Sequence, residues 1–401
     1  VDLLRPIIKP YAWGSREALA RLQGRDVPTA GPEAELWMGA HPAGPAGITR
    51  GGRATTLEAV VAENPERELG AACAVRFGGR LPFLLKVLAA EQPLSIQVHP
   101  DREQARAGFA AQRVGAEDGP YTDDWPKPEL LCALSRFEVL AGFRAREEAA
   151  EVLDALGLLS LRPVAVFLRT RGNDTALTEA LRILLEWPPH DRDLLVSDVV
   201  ESSVRLAAAS GPHQAAFDAV VRMARSHPGD LGLVASLLMR HQVLEPGAAL
   251  FMPAGGLHAY VSGVGVELLA NSDNVLRAGL TAKEVNVPEL LRITDPAVRV
   301  PVLRPTDVPG SGRTRTYDCP VEEFALYRTQ LNGSPEPLVP SSGPRIALCV
   351  EGSVLLRGPE GQELPLGPGA SCFLSASDQG VVAEGDATLF VAATGLEPHR
   401  H

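Results

Sequence analysis

The period of the apolar residues changes twice along this chain, and that limits the folds open to it. From the start to about Arg144, short apolar runs alternate with Gly and Pro, as in ELWMGAHP (Glu35–Pro42), LPFLLKVL (Leu81–Leu88) and PLSIQVHP (Pro93–Pro100). Such runs bounded by turn residues predict strands. From about Ala145 to Arg240 the apolar residues recur at spacings of three and four, in TALTEALRILLEW, SDVVESSVRLAAAS and HQAAFDAVVRMARSH. That spacing predicts a group of about five helices. Strands return after Val243, through FALYRTQL, RIALCVEGSVLLRG, ASCFLSAS and ATLFVAATG. The expectation is a mainly β chain with a helical insert. Residues 1–144 and 241–305 would form one β domain, 145–240 the insert and 316–401 a second β domain, with the Gly, Pro and Ser-rich stretch Thr306–Arg315 as linker.

Local signals refine this. DREQARAGFAAQR predicts a helix with Asp101 at its N-terminus, Ser197 and Asp198 would cap a helix at Val199, and TAKEVNVPELLRI (Thr281–Ile293) predicts a turn and a short helix. PGAALFMPA from Pro246 is echoed by PGASCFLSA from Pro368, each a turn into a strand with Phe251 or Phe373 at the same offset. On that register His258 corresponds to Gly380. A duplicated β unit with chemistry kept in one copy fits a double jelly roll.

Bulk properties narrow the function. The 401 residues, 45% of them hydrophobic, supply a sizeable core without disulfides. A net charge of -11 argues against nucleic acid as the main partner. It leaves room for a small phosphorylated ligand held by a few local cations. Cys73, Cys132, Cys319, Cys349 and Cys372 are scattered without a CxxC spacing, which fits reduced thiols in a cytoplasm. No apolar run approaches a membrane span, and VDLLRPIIKPYAWGS lacks the marks of a leader. The tail His399-Arg400-His401 is too short for a metal tract.

The run Phe251–Lys283 sets His258, Glu267, Asp273, Arg277 and Lys283 among small and apolar residues. Lone buried charges are costly, so these groups are either surface decoration or an organised polar site. Elsewhere, Gln97 and His99 flank Val98 in a strand and so share a face, and Lys127-Pro128-Glu129 opens the strand ELLCAL. With His258 they would make a nitrogen and oxygen set suited to zinc or another divalent first-row ion. The same residues also read as ordinary solvated or core side chains, and His41 in GAHP is a rival ligand. His190, His213, His227 and His241 read as surface or core histidines.

YAWGS, AELWMGAHP, LPFLLKVLAAEQPLSIQVHPD, KPELLCAL and the block from PAGGLHAY to PELLRI together resemble the type I phosphomannose isomerase family. The last block resembles the family signature HAY…G…E…SDN…RAG.T.K. The resemblance implies a cupin-type double jelly roll plus an α-helical domain beside the catalytic barrel. It implies one zinc ion per chain on Gln97, His99, Glu129 and His258. It implies that Lys86, Ser95, Lys127, Tyr260, Glu267, Asp273, Arg277 and Lys283 line a sugar-phosphate pocket. The implied reaction interconverts mannose 6-phosphate and fructose 6-phosphate in a cytoplasmic monomer.

Within that reading, Arg277 would stabilise an enediolate and Asp273 would orient it. Lys127 and then Glu267 are candidates for moving protons, and Lys86, Ser95 and Lys283 could hold the phosphate, with Tyr260 beside the sugar. Without the resemblance, Lys86 between Leu85 and Val87 reads as a lysine snorkelling from a strand.

One departure counts. The family pattern Tyr-x-Asp-x-Asn-His-Lys-Pro-Glu becomes Tyr121-Thr-Asp123-Asp-Trp125-Pro126-Lys127-Pro-Glu129 here, so a histidine considered for proton transfer in the family is missing. Leu269 for the usual Met and Ala282 for the usual Pro are smaller changes. Two other classes remain open: a cupin oxygenase with iron on His99, His258 and Glu129, and a sugar-phosphate sensor that has lost its chemistry.

Overall fold

The computed structural model describes residues 1–115, 119–172 and 175–396. The tail His399–His401 lies outside the described residues.

Alternation within strands organises the first β domain. Its sheet has eleven strands, running from Val302–Leu303 at one edge through Ala249–Met252, Glu129–Ala133, His258–Ala270, Phe83–Ala90 and Glu35–Gly39 to Ile7–Lys9 at the other. Phe137–Phe143, Met239–Leu244, Ile96–Val98 and Leu276–Gly279 branch from this path. The described strands end in open edges, so the expected barrel does not close.

The strand His258–Ala270 belongs to both branches. Its second half, Gly263–Ala270, pairs with 83–90 and 129–133. Its first residues pair with 137–143 and, at His258, with Gln97. The bend between the halves falls at a bulge between Tyr260 and Ser262 and at Gly263, whose φ is 133°. Seven residues of straight strand would span about 23 Å. Yet the Tyr260 hydroxyl donates to Glu267 Oε1 at 2.8 Å, so the two halves face one enclosed space.

Each branch buries its other face against a different neighbour. Ile96, Val98, Ala259, Val261, Leu276 and Ala278 share one core with Leu153, Leu181, Val199 and Phe217 of the helical insert. Leu36, Met38, Leu85, Val87, Leu130, Val266 and Leu268 share another with Leu326, Ile346, Leu348, Phe373 and Phe390 of the second β region. Because side chains alternate, the residues between these point inward.

The insert is built from helices 146–155, 162–170, 175–185, 192–208 and 214–226, with a short turn of helix at 232–235. Ser197 and Asp198 do not cap a helix; they lie inside 192–208, because the apolar stripe extends upstream through Leu195 and Val196. Asp101 is confirmed at a helix start: Asp101 Oδ1 accepts from the Gln104 amide at 2.7 Å, and Gln104 Oε1 accepts from the Asp101 amide at 2.9 Å. Asn286 caps the helix Val287–Ile293 by accepting from the Glu289 amide. His241 Nε2 and Arg222 both reach the buried carboxylate of Glu138, which ties the insert to the first sheet.

The second sheet has nine strands, and it takes in more than its own region. Asp2–Leu3 pairs with Ser371–Leu374, and the Val1 ammonium lies 3.0 Å from Asp378 Oδ1. The stretch expected as a linker is a hairpin instead: Thr306–Asp307 pairs with Thr314–Thr316, which pairs with Ala325–Asn332. Its Gly and Pro residues form the tip of that hairpin. The sequence echo is structural. Gly247 (φ 86°) and Gly369 (φ 76°) each turn the chain into a four-residue strand, and Phe251 and Phe373 meet in one core. No disulfide joins the five cysteines. Among the described residues no helix is long and apolar enough to cross a membrane.

Gly263 is the position where a side chain would do most harm. A Cβ there would sit 2.7 Å from Phe137 Cδ2 and 2.8 Å from its Cα, on a backbone conformation unfavourable to L residues. Gly263→Ala is expected to cost about 3 kcal/mol, the sum of strain and overpacking. Denaturant unfolding would show this as a lower midpoint; an unchanged midpoint would mean that the bend has room to relax.

Candidate metal centre and polar cavity

Three neighbouring strands align three of the sequence-predicted residues. Gln97 lies directly opposite His258 on one side and Arg277 on the other. Directly opposed residues share a face, so all three point away from the helical insert. In the other branch Lys86 lies opposite both Trp37 and Glu267. The inward faces of the two branches enclose a cavity lined by Glu35, Lys86, Ser95, Gln97, Lys127, Glu129, His258, Tyr260 and Glu267, among others.

His99, Glu129 and His258, all buried, converge so that their ligand atoms lie within 4.8 Å of one another. His99 Nε2 is 3.4 Å from Glu129 Oε1, and His258 Nε2 is 3.2 Å from Glu129 Oε2. Backbone carbonyls set both tautomers. His99 Nδ1 donates to the Asn274 carbonyl at 2.7 Å and His258 Nδ1 donates to the Gly256 carbonyl at 3.0 Å. In the neutral rings both Nε2 atoms therefore present lone pairs toward a carboxylate. His99 Nε2 is buried without a hydrogen-bond partner. Burial disfavours protonation there and lowers the His99 pKa to about 4. Lone pairs facing a carboxylate repel unless a cation lies between them, so the donor set fits a divalent metal. Gln97 commits its amide nitrogen to Ser95 Oγ at 3.2 Å, which leaves its carbonyl oxygen as a fourth donor.

Burial alone would raise the Glu129 pKa. With both rings neutral, the Lys127 charge is what opposes that rise and favours the carboxylate. Lys127 Nζ lies 3.2 Å from Glu129 Oε1. Lys86 neither snorkels nor reaches solvent; it is 6% exposed, with Nζ 3.1 Å from Glu267 and 3.6 Å from Glu35. Burial would strip its proton, but Glu35, Glu267 and Glu129 together raise its pKa above the ordinary value. Glu267 is raised, chiefly by burial, with Lys86 opposing. Glu35 also accepts from Trp37 Nε1 at 2.5 Å.

Other sequence-predicted residues fall elsewhere. Asp273 does not orient Arg277: its Oδ1 lies 3.4 Å from His41 Nε2, and its side chain is half-exposed. Arg277 is half-buried and has no ion-pair partner among the described residues; burial lowers its pKa. Lys283 is exposed, tied only through its amide to Thr281 Oγ1. His41 is not part of the metal cluster.

Sequence reasoning missed Glu35 and Asn274. Fully buried Asn274 accepts from the Thr122 amide and donates to the carbonyls of Asp123 and Trp125, while its own carbonyl holds His99. It thus staples the loop before Glu129 to a metal-site histidine. Trp125 turns away into the core, 5.9 Å from Phe77 and under the Arg80 guanidinium. For Glu35 the available signal was an acid opening a strand two residues before Trp37; Asn274 ends the polar run 271–274, where nothing set it apart.

Two antiparallel sheet units and a buried nitrogen and oxygen ligand cluster define a cupin-type protein with a metal-ligand site. Comparisons agree. The profile "Phosphomannose isomerase type I, catalytic domain" matches residues 2–146, and "Mannose-6-phosphate isomerase, cupin domain" matches 313–394. The mannose-6-phosphate isomerase of Escherichia coli is 33% identical over 389 residues, covering 95% of this chain and 96% of that protein. That of Salmonella typhimurium is 36% identical over 391 residues, with 95% and 96% covered. A zinc-bound crystal structure of mannose 6-phosphate isomerase superposes with a TM-score of 0.88 at 34% identity, covering 98% of this chain and 99% of that one. The chain belongs to the type I phosphomannose isomerase family.

The Lys86 triad gives a direct test. Lys86→Met would leave Glu35 and Glu267 facing each other without a counter-ion, at an expected cost of about 3–5 kcal/mol at pH 7. Their folded-state pKa values would rise above the unfolded ones. The stability they contribute would then be present below the unfolded carboxylate pKa and lost as pH rises through the folded pKa. The variant should therefore recover relative to wild type at about pH 4–5, near the unfolded carboxylate pKa. Unfolding at both pH values would show it; a pH-independent deficit would contradict the charge argument.

Proposed function

We propose that this chain is a zinc-dependent aldose–ketose isomerase that interconverts D-mannose 6-phosphate and D-fructose 6-phosphate by enediol proton transfer. The observation that carries the reading is the convergence of two Nε2 lone pairs on Glu129, beside Gln97 and next to Lys127, in a chain of this family. Gln97, His99, Glu129 and His258 would hold one zinc ion. Zinc, when bound, supplies Lewis-acid polarisation of the substrate's carbonyl and hydroxyl oxygens.

The charge inventory supports this. Three carboxylates (Glu35, Glu129, Glu267) and two ammonium groups (Lys86, Lys127) line the cavity. That leaves one excess negative charge, which a divalent ion would reverse. A site made net positive suits a phosphorylated sugar and a developing enediolate.

The chain's own residues then take distinct roles. A proton must leave carbon 2 of the open-chain aldose and arrive at carbon 1. Lys127, beside the metal ligands, and Glu267, held by Tyr260 and Lys86, would move it. Arg277, a half-buried cation with no carboxylate partner among the described residues, would spend its charge on the enediolate. Ser95 and Tyr260 line the sugar's path. Lys86 is already balanced by Glu267 and Glu35, so exposed Lys283 is the better match for the phosphate dianion.

A coupled assay of mannose 6-phosphate conversion, on metal-stripped protein with and without zinc, tests the reading. Zinc should restore turnover. His258→Ala should lose zinc and activity together, whereas Arg277→Ala should keep zinc and lose turnover by roughly 10²–10³-fold, the size of one lost oxyanion-stabilising group. Zinc bound without turnover would point to a changed substrate or a sensor.

A further inference from the structure

His41 is buried at 4% exposure, although no metal ligand touches it in the described cluster. Its Nδ1 accepts from the Ala43 amide at 3.1 Å. An amide N–H can only donate, so Nδ1 carries the lone pair and the neutral ring carries its proton on Nε2. Nε2 lies 3.4 Å from Asp273 Oδ1. The ring meets Trp37 edge-on at 4.9 Å, and the Lys86 ammonium sits 5.0 Å from the centre of the same indole. The imidazole is thereby packed against Trp37 with its Nε2 facing one carboxylate.

Asp273 is the exposed member of the pair. Its amide donates to Asp123 Oδ2 at 2.9 Å, and half its side chain remains accessible. Its carboxyl is held below the usual range, first by the His41 hydrogen bond and further by the charges of Lys127 and Lys86, which both line the cavity. Asp273 also adjoins Asn274, whose carbonyl holds the His99 ring at 2.7 Å, so the carboxylate borders the site. Nδ1 is committed to the backbone, so His41 cannot replace the histidine that Pro126 removes as a proton carrier.

We propose that His41 is a positioning residue: through its Nε2–H it holds Asp273 so that the second, solvent-accessible carboxylate oxygen offers a lone pair to a substrate hydroxyl. The inference rests on the isomerase reading above and adds the residue that fixes one of its substrate contacts. The Trp37 packing keeps the imidazole in one rotamer, which makes the acceptor rigid rather than adaptable.

Steady-state kinetics with mannose 6-phosphate on zinc-loaded protein test it, with zinc content and melting temperature recorded for each variant. His41→Leu should raise KM roughly tenfold or more while kcat changes less, the size of a lost hydrogen bond involving a charged group. His41→Gln, whose amide N–H reaches the Nε2 position, should recover most of that loss. In an Asp273→Asn background, His41→Leu should add little. Should His41→Leu fail to fold, His41→Asn carries the same expectation, because it can serve Ala43 but leaves the Nε2 position empty.

An unmoved KM, failure of Gln to rescue, or an equal His41 effect without the Asp273 charge would each overturn the inference and leave the isomerase reading standing. Absence of wild-type turnover would instead remove the isomerase reading, and the inference with it.

Discussion

The bend in strand 258–270 is the constraint on which the rest of the site depends. A straight strand would carry His258 and Glu267 far apart and into different environments. Because the strand leaves one ladder and joins another at Gly263, Tyr260 and Glu267 meet, and the metal ligands face the charged triad across one cavity. The helical insert and the second sheet press on the two outer faces. Each buries the apolar half of the alternating pattern and so drives the polar half inward. A one-residue slip in either ladder would exchange the two sets and empty the site of its chemistry.

Burying so many charges is tolerable only because each has a partner. Lys86 is shared by Glu35 and Glu267, Lys127 stands beside Glu129, and backbone carbonyls hold both histidines in one tautomer. The histidine lone pairs and the Glu129 carboxylate are the incomplete part of this arrangement, and a divalent cation is the species that would complete it. Half-buried Arg277, by contrast, has no ion-pair partner among the described residues, which suits a cation kept for a charge that develops during reaction. Functional sites are where such locally unfavourable electrostatics persist.

The missing family histidine is accommodated by packing. Trp125 fills the core against Phe77 and Arg80, and Asn274 pins the carbonyls of Asp123 and of Trp125 itself. The loop before Glu129 is thus anchored without an imidazole. The substitution leaves the metal-ligand cluster where the strands put it.

The sequence by itself determined the succession of strand, helix and strand regions, the duplicated turn-and-strand unit and the ligand candidates. Those properties rest on local period, turn chemistry and motif, which a chain carries in its residue order. It did not determine that Thr306–Arg315 pairs as a hairpin, that Ser197 and Asp198 lie within a helix, or that Asp273 faces His41 and not Arg277. Nor did it show that Lys86 is enclosed by two carboxylates, one of them on a strand 51 residues earlier, at Glu35. These are long-range facts. Ladder register and the burial of one face decide them, and both exist only once distant segments have packed together.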